Sequence, residues 1–189
     1  GSRTLRNSLN SLDCFMNQLT VSVIPYVLHF KRPAGTSRGV YYDHPVWYVS
    51  VFDANTGRYG IGECAPLYDL SCDYSADYEA RLHHFCKEWE QGTLSWSELQ
   101  SFPSILFGFE TALQHLKSGG FALWASDFSE GKSGIPINGL IWMGDYVAMY
   151  QQIEEKLQAG FRCVKLKIGA IDFEEELSLL KRIRRYFTA

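Results

Sequence analysis

The chain has 189 residues, of which 46% are hydrophobic and 21% charged, and its formal net charge is -3. This composition indicates a soluble globular protein rather than a disordered tail or a membrane protein. The small negative charge gives no reason to expect nucleic acid as a partner.

The first 18 residues are polar and lack the apolar core and small-residue cleavage site of a secretory signal. We therefore expect residues 1–18 to be an arm or an added segment, disordered and outside the fold. The apolar run Val21–Phe30 is interrupted by polar residues and proline, and it is too short to span a bilayer. The five cysteines are an odd number with no Cys-x-x-Cys pair, which predicts free thiols and a cytoplasmic protein.

The first half of the chain has the pattern of a strand meander. Leu19–Phe30 is rich in β-forming residues, and the segment Arg32–Gly39 after it has the proline, glycine and serine content of a loop. Val46–Phe52 alternates as a half-buried strand does. Asp53–Gly57 supplies turn residues before Arg58–Cys64, so we expect these last two strands to pair antiparallel.

Two helices are predicted next. Tyr74–Trp89 carries large apolar side chains at spacings of four, three and four residues, which is one face of a helix. The second helix starts at Pro103, because proline is tolerated in a first turn, and it ends at Gly119 after the cation Lys117. Its apolar stripe consists of Ile105, Phe109, Ala112, Leu113 and Leu116.

The organisation changes after the loop Ser126–Gly134. A short apolar run, a helix, a strand and a second helix follow: Ile135–Ile141, Tyr146–Leu157, Cys163–Ile168 and Asp172–Phe187. In the last helix Asp172 is placed to cap the first turn. Alternating strands and helices with short connections are typical of a parallel α/β unit. The chain is therefore expected to hold an antiparallel α+β domain and then the opening of a parallel α/β domain.

Lys165 and Lys167 carry the chemical argument. Residues two apart in a strand share a face, and the opposite face, with Val164, Leu166 and Ile168, is expected to pack on the flanking helices. Both faces of a parallel sheet are normally covered, so two ammonium groups there are costly unless they have a function. Burial and mutual repulsion favour loss of a proton from one lysine, which suits proton transfer. The alternative is an edge strand whose lysines are simply solvated.

Three stretches, in this order along the chain, resemble the muconate-lactonizing branch of the enolase superfamily. Gly60–Leu67 resembles the turn after its capping-domain sheet, and Cys163–Lys167 resembles the paired-lysine strand of its barrel. Phe109–Leu113 resembles its helix signature, which usually ends in an aspartate where this chain has His115. The resemblance implies an α+β capping domain at 19–125, followed by the start of a (β/α)8 TIM-type barrel at 134–189, truncated after about two βα units.

Two further stretches, Pro33–Gly39 and Ile135–Ile141, resemble the o-succinylbenzoate synthases within that branch. That resemblance implies a lyase reaction of menaquinone biosynthesis. In it 2-succinyl-6-hydroxy-2,4-cyclohexadiene-1-carboxylate is dehydrated to o-succinylbenzoate. A base removes the proton α to the carboxylate, a magnesium ion stabilises the enediolate, and hydroxide leaves from the neighbouring carbon.

The same resemblance implies roles for individual residues. Lys167 would be the acid/base lysine, and Lys165 its cationic partner that helps to hold the developing negative charge. Segments 32–43 and 62–73 would close over the substrate, a small-molecule carboxylate. Ser37 and Arg38 in the first segment and Asn138 at the first barrel strand are candidate substrate-binding residues; Arg38 could equally be an ordinary solvated arginine.

The three carboxylate ligands of magnesium in this branch would lie beyond Ala189, so residues 1–189 are expected to bind no magnesium and to be inactive by themselves. Two alternatives remain open. A dipeptide epimerase or an N-acylamino acid racemase uses the same lysine pair and the same first step. A non-catalytic fragment would need a partner for its open sheet edges. The oligomeric state has no signal in the sequence.

Overall fold

A computed structural model describes residues 19–36, 39–169 and 171–188. It contains five strands and four α-helices, with one short 3-10 helix at Glu98–Ser101. The strands are β1 (Leu19–Thr36), β2 (Gly39–Asp53), β3 (Arg58–Cys64), β4 (Gly139–Ile141) and β5 (Val164–Leu166). The helices are α1 (Tyr78–Gln91), α2 (Pro103–Ser118), α3 (Tyr146–Gln158) and α4 (Phe173–Thr188).

The described residues form two compact units. The first consists of residues 19–29 and 43–130, and the second of residues 30–36, 39–42 and 131–188 apart from residue 170. The change at 130/131 falls inside the loop predicted between the two domains, but part of the first hairpin groups with the second unit. The predicted domain limits of 19–125 and 134–189 stay a prediction, and the predicted arm lies outside the described residues.

The first unit is built on a three-stranded sheet in the order β1-β2-β3. Strands β2 and β3 pair antiparallel from Trp47 opposite Cys64 to Asp53 opposite Arg58, which confirms the predicted hairpin. The Asp53 carboxylate accepts two hydrogen bonds from residues of the turn, and Gly57 closes the turn with a φ of 68°. A positive φ of this size is the reason for glycine at that position.

The loop predicted at Arg32–Gly39 is wrong for all its described residues. Strand β1 continues through Pro33 to Thr36, and β2 already begins at Gly39. Strand β1 is at the edge of the sheet, where a proline without a backbone N–H costs no ladder bond. The composition signal for a loop was therefore overridden by pairing of the two long strands.

Helices α1 and α2 cover this sheet and confirm the two helices predicted there. Helix α1 begins at Tyr78, four residues later than predicted, and both helices end at glycines with positive φ, Gly92 and Gly119. Their apolar faces join the inner face of the sheet in one core. Its fully buried members include Val49, Val51, Cys64, Leu82, Leu99, Ile105, Phe109 and Ala112.

Helix α2 lies against β3 at backbone contact distance. A Cβ added to Gly62 would be 1.7 Å from the carbonyl oxygen of Gly108, and a Cβ added to Gly60 would be 2.0 Å from the carbonyl oxygen of Ala112. From the helix side, a Cβ on Gly108 would be 2.4 Å from Sγ of Cys64. The glycines of the Gly60–Leu67 stretch are thus required by helix packing, and no dinucleotide site is needed to explain them.

The four described cysteines are free, as predicted, and they differ in accessibility. Cys64 and Cys86 are buried, whereas Cys72 and Cys163 are exposed. Burial raises the pKa of the Cys64 thiol, and burial together with the charge of Glu90 raises the pKa of Cys86 to about 12. The thiolate is the reactive form, so both buried thiols are held in the unreactive state.

We expect iodoacetamide at pH 8 to modify Cys72 and Cys163 quickly in the folded chain and to leave Cys64 and Cys86 unmodified. Peptide mass mapping after timed quenching measures each site separately. The same reaction in guanidinium chloride is the control, in which all sites should react. Rapid modification of Cys86 in the folded chain would contradict the buried assignment.

The second unit contains the parallel part of the chain. Strands β4 and β5 pair parallel, with Leu140 opposite Lys165 and Ile141 opposite Leu166. The order β4-α3-β5-α4 confirms the two βα units predicted from the sequence. Asp172 accepts a hydrogen bond of 2.9 Å from the backbone N–H of Glu174, which confirms it as the cap of α4. The core of this unit consists of Ile141, Met149, Ile153, Leu157, Leu179 and Ile183.

Strand β5 is shorter than predicted, with consequences at its end. Val164 and Leu166 pack against the core of the second unit, as expected, but Ile168 is 66% exposed. Ile168 follows the end of β5, where strand alternation no longer sets the direction of a side chain. The prediction that Ile168 packs on the helices is therefore wrong.

An ion pair joins α3 and α4. The guanidinium of Arg182 donates two hydrogen bonds to Glu154, with N–O distances of 2.7 and 3.0 Å. These bonds hold the pKa of the Glu154 carboxyl below its usual value. A folded-state pKa below the unfolded one stabilises the fold above the ordinary glutamate pKa, and that contribution is lost as the pH falls through the folded-state value.

We therefore expect Arg182→Gln to lower the melting temperature at pH 7, and the difference from wild type to vanish in strong acid. Both side chains of the pair are partly exposed, so the effect should be small. Melting curves from pH 3 to pH 8 measure it. Arg162→Gln, which removes the same charge outside this ion pair, is the control; an equal pH dependence in both variants would contradict the assignment.

None of the helices in the described part of the chain is long and apolar enough to cross a membrane.

Candidate active site

Strand β5 places Lys165 on the side of the sheet away from the helices, and Lys167 follows the end of the strand. Lys165 is the central residue of β5 and is exposed, and Lys167 follows its end and is half-buried. Val164 and Leu166 between them pack against the helix side. Lys165 therefore lies on the face opposite Val164 and Leu166, whereas Lys167 lies past the end of the strand, so a shared face for the two ammonium groups stays a prediction. The sequence predicted that this face would be buried, but Lys165 is exposed. Within the described residues β4 is the one strand that pairs with β5.

Strand β4 adds the residues beside the lysines. The parallel register sets Leu140 opposite Lys165 and ends with Ile141 opposite Leu166; Trp142 and Lys167 are the next residues along the two segments. Directly opposite residues of neighbouring strands share a face and lie about 4.8 Å apart between strand axes. Trp142 is 43% exposed. Its position at the carboxyl end of a barrel-type strand was the signal by which sequence reasoning could have found it.

Asn138 is exposed and lies one residue before β4. Extending the register backwards sets it level with Cys163, four residues before the level of Lys167. At about 3.3 Å per residue this is about 13 Å along the strands. The structure thus places Asn138 and Lys167 at opposite ends of the two-stranded sheet and does not bring them together. Substrate binding by Asn138 stays a prediction.

Ser37 and Arg38 lie outside the described residues, so their predicted role in substrate binding stays a prediction. The strand residues before them take part in a cavity of about 540 Å³ within the second unit. This cavity is lined from β1, from the end of β4 and from α3, by residues that include Phe30, Lys31, Arg32, Trp142, Gln152 and Lys156. Its cationic side chains suit an anionic small molecule.

The turn at 62–73 belongs to the first unit and is held by its own hydrogen bonds. Leu67 N–H donates to Oγ of Ser71 at 2.9 Å. At the end of the turn the buried Asp73 accepts from the N–H and the hydroxyl of Ser104, at 2.8 and 2.5 Å, in the first turn of α2. The hydroxyl groups of Tyr78 and Ser104 also share a hydrogen bond of 2.6 Å. Asp73 is thus a remote cap that fastens this turn to α2, and no pattern in the sequence pointed to it.

His115, where this chain departs from the resembled helix signature, has a structural role. It is buried, and its Nδ1 accepts a hydrogen bond of 3.1 Å from the backbone N–H of Ile61. Ile61 is in β3, a strand at the edge of the sheet. The imidazole therefore accepts a hydrogen bond from a backbone N–H that has no neighbouring strand to pair with. An aspartate could accept the same bond, so the departure preserves the acceptor.

The described residues do not fit a magnesium site. No group of three or more His, Cys, Asp or Glu side chains within 19–36, 39–169 and 171–188 could hold a metal ion. The adjacent His83 and His84 point to different partners, Glu79 and Glu88, each one helical turn away. No catalytic step through a metal is therefore derived from these residues.

Comparison with known proteins agrees with this architecture. Residues 47–116 match the family model of the MenC N-terminal domain. The o-succinylbenzoate synthase of Desulfotalea psychrophila is 40% identical to this chain over 196 residues, which cover 85% of this chain and 52% of that protein.

Solved structures show the same similarity. The match to MenC from Desulfotalea psychrophila covers 89% of this chain and 53% of the MenC chain, with 32% sequence identity and a TM-score of 0.62. The match to the magnesium complex of o-succinylbenzoate synthase from Thermosynechococcus elongatus covers 88% of this chain and 48% of the synthase chain, with 24% sequence identity and a TM-score of 0.62. A third match is to an enolase family member from Agrobacterium tumefaciens with homology to dipeptide epimerases. It covers 90% of this chain and 51% of that protein's chain, with 20% sequence identity and a TM-score of 0.67.

The chain spans about half the length of the relatives that it matches. The two structures under 25% identity show the fold alone: an α+β domain followed by the first βα units of a parallel sheet. The family model and the 40% identical relative both point to similarity with o-succinylbenzoate synthases. Residues 47–116 are therefore similar to the MenC N-terminal domain, and the chain as a whole is similar to about half of an o-succinylbenzoate synthase.

Proposed function

We propose that the protein carrying this chain is the lyase that forms o-succinylbenzoate from 2-succinyl-6-hydroxy-2,4-cyclohexadiene-1-carboxylate in menaquinone biosynthesis. The observation that carries the proposal is the pair of lysines, Lys165 in β5 and Lys167 one residue past its end, in a chain 40% identical to an o-succinylbenzoate synthase. Because the chain spans about half of that relative, the proposal concerns the complete protein.

In the proposed reaction Lys167 takes the proton from the carbon next to the substrate carboxylate. The electron pair of that C–H bond forms a new ring double bond and the neighbouring C–O bond breaks. Lys167 returns the proton to the departing hydroxyl group, which leaves as water, so that one proton is taken up and one given back. The product ring is aromatic, which favours the overall step. Lys165 keeps its charge and attracts the carboxylate on which negative charge develops. The half-buried position of Lys167 beside the exposed Lys165 supports this division of roles.

Magnesium belongs to the proposal only for the complete protein. The Thermosynechococcus elongatus enzyme is described with magnesium in its active site, and the metal would supply a Lewis acid for the carboxylate. The described residues of this chain include no ligand cluster, so we infer that any such ion would be held by residues outside them. The buried free thiols Cys64 and Cys86 support the further proposal of a reducing, cytoplasmic compartment.

A dipeptide epimerase is the second candidate. It begins with the same removal of a proton next to a carboxyl carbon, and several structural neighbours are dipeptide epimerases. Their identities to this chain are between 16% and 20%, so they support the fold and not the substrate. The 40% identical synthase favours dehydration.

The test is an assay of the complete gene product that carries this chain, purified with magnesium. We expect the protein to convert the cyclohexadiene carboxylate to o-succinylbenzoate, with the product measured by chromatography. We expect no more than a trace of epimerisation of L-Ala-L-Glu. Epimerisation without dehydration would overturn the proposal in favour of the second candidate. A folded protein with neither activity would favour the non-catalytic, partner-binding alternative.

A further inference from the structure

One ring nitrogen of the buried His115 has no partner in the described fold. Only 3% of His115 is exposed, and its Nδ1 accepts the hydrogen bond from the N–H of Ile61. An imidazole nitrogen that accepts a hydrogen bond carries no proton, so the other nitrogen, Nε2, carries the N–H. No hydrogen bond joins Nε2 to another residue of the described ranges. A donor on so buried a side chain calls for an acceptor that these residues do not supply.

The imidazole of His115 lines a cavity of about 250 Å³ in the first unit. The Phe121 ring lies against the imidazole with centroids 4.6 Å apart, and the Tyr59 ring meets it edge-on at 5.5 Å. Because Nδ1 faces the backbone of β3, Nε2 on the far side of the ring is the nitrogen that is open to the cavity. The cavity is formed by the turn after β2 and the end of α2, and its lining consists of Gly57, Arg58, Tyr59, His115, Gly119, Gly120 and Phe121.

Arg58 supplies the positive charge of this cavity. It is the first residue of β3, and a Cβ added to Gly119 would be 3.6 Å from its Cζ, so the guanidinium lies over the end of α2. Asp53, opposite Arg58 in the hairpin, gives its two carboxylate oxygens to hydrogen bonds of the turn. The Arg58 side chain forms no ion pair or hydrogen bond with any other residue in the described part of the chain. Its donors are therefore available to a ligand.

The remaining polar groups of the cavity do not compete for these donors. Among the described residues, no Asp or Glu lines the cavity. The carbonyl oxygen of His115 accepts hydrogen bonds from the N–H of Gly119 at 3.0 Å and from the hydroxyl of Ser118 at 3.1 Å. The negative end of the α2 dipole falls here, and the charge of Arg58 offsets it. The cavity thus offers an N–H donor, a guanidinium and two aromatic rings, which complement an oxyanion on an apolar body.

We propose that this cavity is a binding site for a small carboxylate. The carboxylate accepts hydrogen bonds from Nε2–H of His115 and from the guanidinium of Arg58. The apolar body of the ligand packs against the rings of Tyr59 and Phe121. The volume is below the range of about 300–1,000 Å³ of pockets for drug-sized ligands, so it suits a molecule with a single ring. The site belongs to the first unit and the two lysines to the second, so this inference does not rest on the proposed function.

The test is a titration of the complete protein, labelled with 15N-histidine, with benzoate and with inorganic phosphate, followed by NMR. His115→Asp keeps an acceptor for the N–H of Ile61 and assigns the His115 signal by its loss. We expect benzoate to shift the Nε2–H signal of His115 in a saturable way. Arg58→Gln should weaken this binding by about 10-fold, because it removes a charge-assisted hydrogen bond, and Arg58→Lys should weaken it less. Lys87→Gln removes the same charge from an exposed position of α1 and is the matched control.

Each outcome supports or overturns the site. A His115 signal that benzoate does not move throughout the titration overturns it. Equal benzoate affinity of Arg58→Gln and Lys87→Gln also overturns it, since benzoate would then be bound elsewhere, for instance at the lysines of the second unit. A shift with phosphate and none with benzoate overturns the choice of a carboxylate. If the His115 signal responds as expected and the protein forms no o-succinylbenzoate, the site stands and the proposed function falls.

Discussion

Replacing Gly62 by alanine should lower the free energy of unfolding of this protein by about 3 kcal/mol or more, because the new methyl group would overlap backbone. The added Cβ would be 1.7 Å from the carbonyl oxygen and 2.7 Å from the carbonyl carbon of Gly108. Neither atom is the end of a flexible side chain, so β3 and α2 must separate. Separation would also open the core around Phe109 and Ala112, which are fully buried.

Urea unfolding followed by circular dichroism measures this effect. Gly108→Ala should be destabilising but by less, since its Cβ would be 2.4 Å from Sγ of Cys64, a side-chain atom, and 3.3 Å from the nearest backbone atom. Gly120→Ala is the matched control in the same unit, because no heavy atom lies within 4 Å of a Cβ there. Equal unfolding midpoints for Gly62→Ala and Gly120→Ala would show that the close approach of α2 to β3 is incorrect.

Replacing Lys167 by alanine should lower kcat/KM for o-succinylbenzoate formation in the complete protein by about 10²- to 10⁴-fold, the usual contribution of a general base. Lys167→Arg should not restore it, because a guanidinium does not give up its proton in proteins. Lys165→Ala should reduce kcat and also weaken substrate binding, since it removes the cation that attracts the carboxylate.

Steady-state kinetics, with circular dichroism to show that each variant folds, measures these differences. Lys181→Ala is the matched control: Lys181 is an exposed lysine of α4 and should keep wild-type kinetics. If Lys167→Ala retained kcat within a factor of a few, Lys167 would not be the base. The two lysines would then be solvated residues of an open strand face.

Most of the local structure was predictable because it depends on neighbours in sequence. The apolar spacing in α1 and α2, the proline at the start of α2 and the glycine at its end are local signals, and the structure confirms them. The strand β5 with its central Lys165 followed from the same reasoning, although the strand ends one residue before Lys167. The resemblance to the enolase superfamily rested on motifs of this short-range kind.

Other features required the tertiary structure. The extension of β1 through Pro33 depends on pairing with β2, which composition alone does not encode. Asp73 reaches Ser104 across 31 residues, and His115 reaches Ile61 across 54, so neither partner could be found from local spacing.

What the sequence by itself determined is the class of most elements and the spacing of two between Lys165 and Lys167, since periodicity and turn chemistry are written residue by residue. Only the tertiary structure decided that Gly62 lies against Gly108 and that Leu140 pairs with Lys165. The physical reason is that packing distance and strand register arise between segments far apart in the chain, where one residue of slip would exchange the two faces of a strand.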